Sequence, residues 1–296
     1  MFDGFKTKDI KTGGAVIHLR HGGNGPPLLL LHGNPLTHVS WHKIANRLAE
    51  NFHVVAADLR GYGDSSAPDP GENNINFSFR SMALDQVEVM EVLGYKRFFV
   101  AGIDRGARTV HRMCLDHPPR VKKAAIIDIL PNYHVWTHAS KAWATKSWHW
   151  LFMIQPYDLP ERMLSAVPPE WYMEKKISKS GIGLKPFTKE AFAEYVRCFN
   201  EKTIRGSCAD YRACATCDFE MDTADRDKKA RCPLLVIWGA NSHTGKVHGD
   251  VLAVWKNYAI DVIGGPINCG HYVTEEAPDE AYEWFMRFFM EEPDCR

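Results

Sequence analysis

One short stretch constrains this chain more than any other: Val100-Ala101-Gly102-Ile103-Asp104-Arg105-Gly106-Ala107-Arg108, where an apolar run stops and a helical pattern begins. Residues 97–101 read as a buried strand, short, apolar and followed at once by Gly102. Residues 107–116 read as a helix. A strand that turns directly into a helix leaves no room for Cβ atoms at the turn, which is what glycine at 102 and 106 permits. The residue between them is pushed out at the carboxyl end of the sheet. That residue is Asp104, where nucleophile-bearing turns of this kind commonly carry serine. Alone, the motif fits a solvated aspartate in a Gly-rich loop equally well, so the rest of the chain must decide.

Taken in order, residues 15–20 read as an early strand, and Gly22-Gly23-Asn24-Gly25 as a hairpin-type turn. Residues 27–31 are apolar on both faces, as a strand inside a parallel sheet should be, and end in His32-Gly33-Asn34-Pro35. A loop in this place can supply a backbone N–H to an oxyanion, and a polar side chain at 34 can point into the site. The pattern predicts a helix over 41–50, a strand over 52–58, a helix over 81–93, and a strand over 121–127 ending at Asp128. From 131 to about 220 the texture becomes helical and aromatic, with five of the nine tryptophans (136, 143, 148, 150, 171) and no parallel-strand signal. Strand character resumes over 233–239 and 260–263. Gly270-His271 follows in a loop, and 280–290 reads as a closing amphipathic helix. The expected fold class is α/β: a mostly parallel open sheet flanked by helices, with a helical cap at 133–220 inserted into a core of 1–132 and 221–296.

The totals exclude several function classes. Thirty-six basic residues balance thirty-six acidic ones, leaving no global footprint for nucleic acid or an anionic membrane. No apolar run approaches the roughly 18 residues of a membrane span, and residues 1–11 lack a basic-then-apolar leader pattern, so the expected location is cytoplasmic. The eight cysteines (114, 198, 208, 214, 217, 232, 269, 295) are scattered, as free thiols are. Cys214-Ala-Thr-Cys217 is a CxxC without a second pair at metal-site spacing. Neither a metal nor another cofactor is expected.

Asp104, Asp128 and His271 all fall on loops after sheet-type strands, where an open α/β sheet gathers its active site. A carboxylate nucleophile suits attack at saturated carbon, because displacement there yields an ester that water can later hydrolyse. In that second step His271 would activate water and an acid would orient its imidazole. The acid can follow either the strand after the nucleophile helix or the later 233–239 strand. At the later place stand Ala240-Asn241-Ser242, and asparagine cannot act as a carboxylate, so Asp128 is the choice. Arg105 and Arg108 beside Asp104 favour its charged form. The plain alternative for His271 is an ordinary loop histidine.

The chain resembles the haloacetate dehalogenase branch of the α/β-hydrolase superfamily, the group that includes fluoroacetate dehalogenases. The resemblance rests on His32-Gly33-x-Pro35, Asp58-Leu-Arg-Gly-Tyr-Gly-x-Ser65, the Asp104-Arg-Gly-Ala-Arg108 elbow, Asp128, His149-Trp150-Leu-Phe-Met-Ile-Gln-Pro156 with Leu159-Pro160-Glu161, Asp210-Tyr211-Arg212-Ala213, and Gly270-His271. The first two motifs are shared with epoxide hydrolases; the elbow and the His-Trp string are more selective. The resemblance implies that Arg105 and Arg108 bind a substrate carboxylate, as guanidinium forks do. It implies a halide pocket of His149, Trp150 and Tyr211, with Asn34 and Arg105 as oxyanion or halide contacts. It also implies a haloacid and its halide as the small-molecule partners, and assembly as a homodimer. The alternatives are that the arginines pair with acids of the cap and that Trp150 is packing. Two positions depart from the pattern: Ile103, where similar sequences commonly have histidine, and Asn34, where the branch tends to an aromatic residue. Asn34 instead resembles haloalkane dehalogenases.

Four functions follow for comparison: dehalogenation of short 2-haloacids, epoxide hydrolysis, haloalkane dehalogenation, and a receptor that binds a small carboxylate without turnover. An epoxide hydrolase usually wants two cap tyrosines, and Tyr211 can be one. Arg105, where haloalkane dehalogenases tend to have tryptophan, opposes the third. The complete Asp104, Asp128 and His271 set opposes the fourth.

Overall fold

The computed structural model describes residues 1–178, 182–247 and 249–291; Cys295 lies outside them. Eight strands form one sheet: β1 (Lys6–Lys11), β2 (Val16–Gly22), β3 (Pro27–Leu31), β4 (His53–Ala57), β5 (Phe98–Ile103), β6 (Val121–Ile127), β7 (Leu234–Gly239) and β8 (Val262–Ile267). Their order is β1-β2-β4-β3-β5-β6-β7-β8. β1 pairs with β2, and β2 with β4, antiparallel; all other pairs are parallel. The mostly parallel open sheet with flanking helices is therefore as expected. All five residues of β3 are buried, which suits a strand enclosed by β4 and β5.

Three local expectations are corrected. Residues 22–25 are not a hairpin turn, because β2 and β3 are not neighbours; β4 lies between them. Gly23, at φ +83°, carries the chain across the start of β4, where a Cβ would stand 2.3 Å from the Phe52 carbonyl oxygen. β1 was absent from the pattern, since as an edge strand it buries only Ile10 of its six residues. The last strand begins at Val262 and runs to Ile267, through Gly264, Gly265 and Pro266, residues with little strand propensity.

Helices His42–Leu48 and Pro278–Met290 pack together, as do Phe79–Val92 and Arg105–Asp116. Between β6 and β7 the described residues form eight α-helices, from Asn132–Thr137 to Cys217–Ala224. The longest, Glu201–Ala215, starts at a capping box: Asn200 Oδ1 accepts from the Thr203 N–H, and Thr203 Oγ1 from the Asn200 N–H. No described helix is long and apolar enough to cross a membrane.

The parallel strands set the position of the site. Six loops leave their carboxyl ends, carrying Asn34 after β3, Asp58 after β4, Asp104 after β5, Asp128 after β6, Ser242 after β7 and His271 after β8. A single edge of the sheet thus collects residues separated by more than two hundred positions in sequence.

Candidate active site

The elbow forms as its glycines require. A Cβ on Gly102 would lie 2.5 Å from the Gly106 backbone, and one on Gly106 would lie 2.4 Å from the Leu31 carbonyl oxygen. Asp104 sits between them at φ +51°, a conformation that side-chain-bearing residues adopt only when their surroundings enforce it. The Gly106 N–H donates to the His32 carbonyl at 2.9 Å, locking the elbow to the end of β3. The same junction puts the Asn34 N–H 2.9 Å from Asp104 Oδ1.

The other Asp104 oxygen faces a histidine. His271 Nε2 stands 3.8 Å from Asp104 Oδ2, and its Nδ1 is 2.5 Å from Asp128 Oδ2. The second Asp128 oxygen accepts from the Gly239 N–H at 3.0 Å and from the Ser242 hydroxyl at 2.7 Å. Three donors therefore hold the fully buried Asp128 carboxylate in the plane that orients His271. The structure places the acid after β6 beside His271. Ser242, in the loop after β7 where no acid stands, serves as a donor to it. Burial would push the Asp104 carboxyl up, but His271, Arg105, the Asn34 N–H and Arg108 together hold it below the ordinary aspartate range. Asp104 is thus a charged carboxylate at neutral pH.

The two elbow arginines are bound differently. Arg105 is fully buried and clamped by Asp210: its Nε donates to Oδ2 at 2.7 Å, and its Nη2 donates to Oδ1 and, at 3.1 Å, to the Asp210 carbonyl. The Tyr62 hydroxyl donates to Asp210 Oδ2 at 2.6 Å. Against the cost of burial, Asp210 raises the Arg105 pKa well above the ordinary range. Pairing with an acid of the inserted helices, the plain alternative for these arginines, therefore holds for Arg105, yet its Nη1 remains buried without a partner. Among the described residues Arg108 is paired with no carboxylate and its Nε has no partner; its Nη1 donates to the Leu130 carbonyl at 3.0 Å, and burial lowers its pKa.

His149 and Trp150 both meet the ring of Tyr211. Tyr211 meets His149 edge-on at 5.7 Å between centroids and Trp150 at 5.6 Å. The Arg105 guanidinium lies 4.2 Å from the Tyr211 ring centre and that of Arg108 4.7 Å from the Trp150 ring centre. Trp150 also packs against Trp136 and Trp143, so the packing role holds alongside its place at the site. Sequence reasoning singled out neither Asp210 as the arginine clamp nor Ser242 as a donor.

A cavity of about 480 Å³ opens over Asp104 and His271. Asn34, His149 and Trp150 line it, with Trp148, Trp171, Tyr172 and Tyr272 adding apolar wall and Lys146, Lys175 and Lys176 adding positive charge. Arg105, Arg108 and Tyr211 are not among its lining residues; they pack against Trp150, which is. Ile103 is buried and contributes nothing to the lining.

Among the described residues, three groups of side chains are close enough to hold a cation: Asp128, His243 and His271; His18, His38 and Asp58; and Asp64, Glu194 and Cys198. In each, a carboxylate is already engaged, by His271, by His38 and by Arg197 respectively. The CxxC cysteines part company: Cys214 Sγ donates to Asn132 Oδ1 at 3.0 Å, and Cys217 Sγ to the Ala213 carbonyl at 3.6 Å.

Residues 26–165 match the family model described as the alpha/beta hydrolase fold. A fluoroacetate dehalogenase of Burkholderia sp is 38% identical, the match covering 98% of this chain and 96% of that protein. A soluble epoxide hydrolase of Corynebacterium sp. (strain C12) is 30% identical over 93% of this chain and 94% of that one. A solved chain from Nostoc sp PCC 7120, grouped with the alpha/beta hydrolases, superposes with a TM-score of 0.96 at 49% identity, covering 99% of this chain and 100% of that one.

Proposed function

The chain belongs to the α/β-hydrolase family, in its fluoroacetate dehalogenase branch, and from that membership we propose that it hydrolyses short 2-haloacids to 2-hydroxyacids and halide. One observation carries the choice of an acid substrate. Two buried guanidinium nitrogens, Arg105 Nη1 and Arg108 Nε, have no partner, and both positive charges act on Asp104. Buried donors without acceptors are rare and call for an explanation; a substrate carboxylate seated beside the nucleophile supplies one.

In this mechanism Asp104 Oδ2 attacks the halogen-bearing carbon from behind. The new C–O bond forms as the carbon–halogen bond breaks, the halide leaves with the electron pair, and the carbon inverts. His149, Trp150 and Tyr211 take the departing halide, to which N–H and O–H groups can donate. His271 Nε2 then removes a proton from water, whose oxygen adds to the Asp104 ester carbonyl. Asp128 holds the imidazolium, and the Asn34 N–H, with Arg105 as the second contact, stabilises the charge that develops on Oδ1. Collapse releases the 2-hydroxyacid and regenerates the carboxylate. In this reading the helices of 133–220 are the cap, and residues 145–150, 171, 172, 175 and 176 are its contribution to the cavity lining.

The test is halide release from fluoroacetate, chloroacetate and a neutral haloalkane, with Asp104→Asn beside the unaltered protein. Release from the haloacids that disappears in the variant is the expected result. Release from the haloalkane alone would overturn the carboxylate role of the arginines and make Asn34 the better guide. A receptor would bind haloacid and release halide in neither form. A second reading is favoured by the cavity, which is larger than a two-carbon acid fills and has Tyr172 on its wall. It is epoxide opening by the same Asp104 attack, and diol formation from an epoxide without halide release from any haloacid would establish it instead.

A further inference from the structure

Two of the thiols meet away from the active site. Cys114 lies in the last turn of the Arg105–Asp116 helix, 2% exposed, and Cys232 lies in the bend two residues before β7, partly open to solvent. Their sulfurs are 3.6 Å apart, although 118 positions separate them in sequence. A disulfide needs about 2.0 Å, so closing the gap takes roughly 1.5 Å of movement, within the range of small side-chain rotations. The contact with Cys114 lowers the Cys232 pKa against the effect of burial, while the same contact and burial push Cys114 up. Cys232 is the more solvent-open of the two sulfurs, so it is the one an oxidant in solution reaches.

We propose that Cys114 and Cys232 are a peroxide-responsive dithiol, a modification site that cross-links the nucleophile helix to the base of β7. The oxidant is hydrogen peroxide. The Cys232 thiolate attacks one peroxide oxygen, the O–O bond breaks, and with one proton the products are a Cys232 sulfenic acid and water. The Cys114 sulfur then attacks the Cys232 sulfur, expelling hydroxide that takes the Cys114 proton and leaves as a second water. Two thiols lose two electrons and two hydrogens, and one peroxide becomes two waters.

The cross-link has a defined mechanical consequence. The helix it grips begins at Arg105, next to Asp104, and the strand it grips ends at Gly239, whose N–H holds Asp128. At about 1.5 Å per residue, Cys114 is roughly 15 Å from the elbow. The bond therefore leaves the reacting groups alone and restrains the unfolded chain across a long loop, so oxidation raises stability and spares activity. The inference is independent of which substrate the site takes.

The experiment treats the full chain with stoichiometric hydrogen peroxide, alkylates remaining thiols, and maps the non-reduced digest by mass spectrometry. The expected result is a linked pair of peptides carrying Cys114 and Cys232, two hydrogens lighter than their sum. It should come with a melting temperature raised by roughly 5 °C or more and reversed by dithiothreitol. Cys232→Ser and Cys114→Ser should each abolish the link and the shift. Recovery of both cysteines alkylated, or of Cys232 as sulfinic acid with Cys114 free, would overturn the proposal. The map of the unaltered chain decides this even if a variant fails to fold.

Discussion

Asp210 governs how Arg105 can act. It takes the guanidinium Nε and Nη2, so that only Nη1 is left for another acceptor, and it is itself fixed by the Tyr62 hydroxyl. Removing its charge strands a buried guanidinium, which typically costs about 3–5 kcal/mol. Asp210→Asn is therefore expected to lower the midpoint of urea unfolding and to raise KM for a haloacid roughly tenfold, because Arg105 is freed to rotate away. Tyr62→Phe removes one hydrogen bond to the same carboxylate and should cost about 1–2 kcal/mol with a smaller effect on KM. An unchanged KM in Asp210→Asn would detach Arg105 from substrate binding. These partners explain what could be read at this scale. Asp104 and Asp128 stood out because each ends an apolar run at the sheet edge, whereas His271 stood out only as a histidine in the loop after the last strand. The clamp was not, because Asp210 is 105 positions from Arg105 and lies on a helix whose docking no local pattern encodes. The Asn34 departure is accounted for in part: its N–H holds Asp104, while its side-chain oxygen is buried without a partner.

Elements inherit their placement from a few contacts that tolerate no extra atom. Gly106 is such a point, packed against the Leu31 and His32 carbonyls at distances no real Cβ accepts. Gly106→Ala must push the nucleophile helix off β3, so it should cost at least about 3 kcal/mol and remove activity together with stability. Urea titration and halide release on the same preparation check this, and an alanine variant that melts normally would mean that the elbow can relax. Buried central strands were readable because burial on both faces leaves a continuous apolar run, as in β3 and the second half of β6. Edge strand β1 was not, since five of its residues face solvent and its sequence reads as a charged loop. The short helices His243–Val247 and Val251–Trp255 were missed for a related reason: five-residue helices carry too few turns to show a period.

The whole molecule carries no net charge, so global self-repulsion does not set its response to acid near neutrality. Buried histidines do. His111, on the nucleophile helix, is fully enclosed, packs edge-on against Trp255 at 5.1 Å between centroids, and has its Nε2 without a partner. Burial, followed by the charges of Arg112 and Arg108, lowers its pKa from 6.5 to about 3. The fold therefore accepts only the neutral ring. Above pH 6.5 folded and unfolded chains both hold it neutral and the full stability is present. Below 6.5 the unfolded chain takes up a proton that the folded one refuses, so stability falls steadily as the pH drops toward 3. His32, fully buried and likewise lowered, adds in the same direction. A shift of this size corresponds to a few kcal/mol, on the order of 3–5, across that window. Melting temperature should accordingly decline from pH 7 to pH 4, and His111→Phe, which keeps an aromatic ring against Trp255, should flatten the decline while changing little at pH 7.5. A variant whose pH dependence runs parallel to that of the unaltered chain would exclude His111 as the acid-sensitive group and leave the response to His32 and the carboxylates.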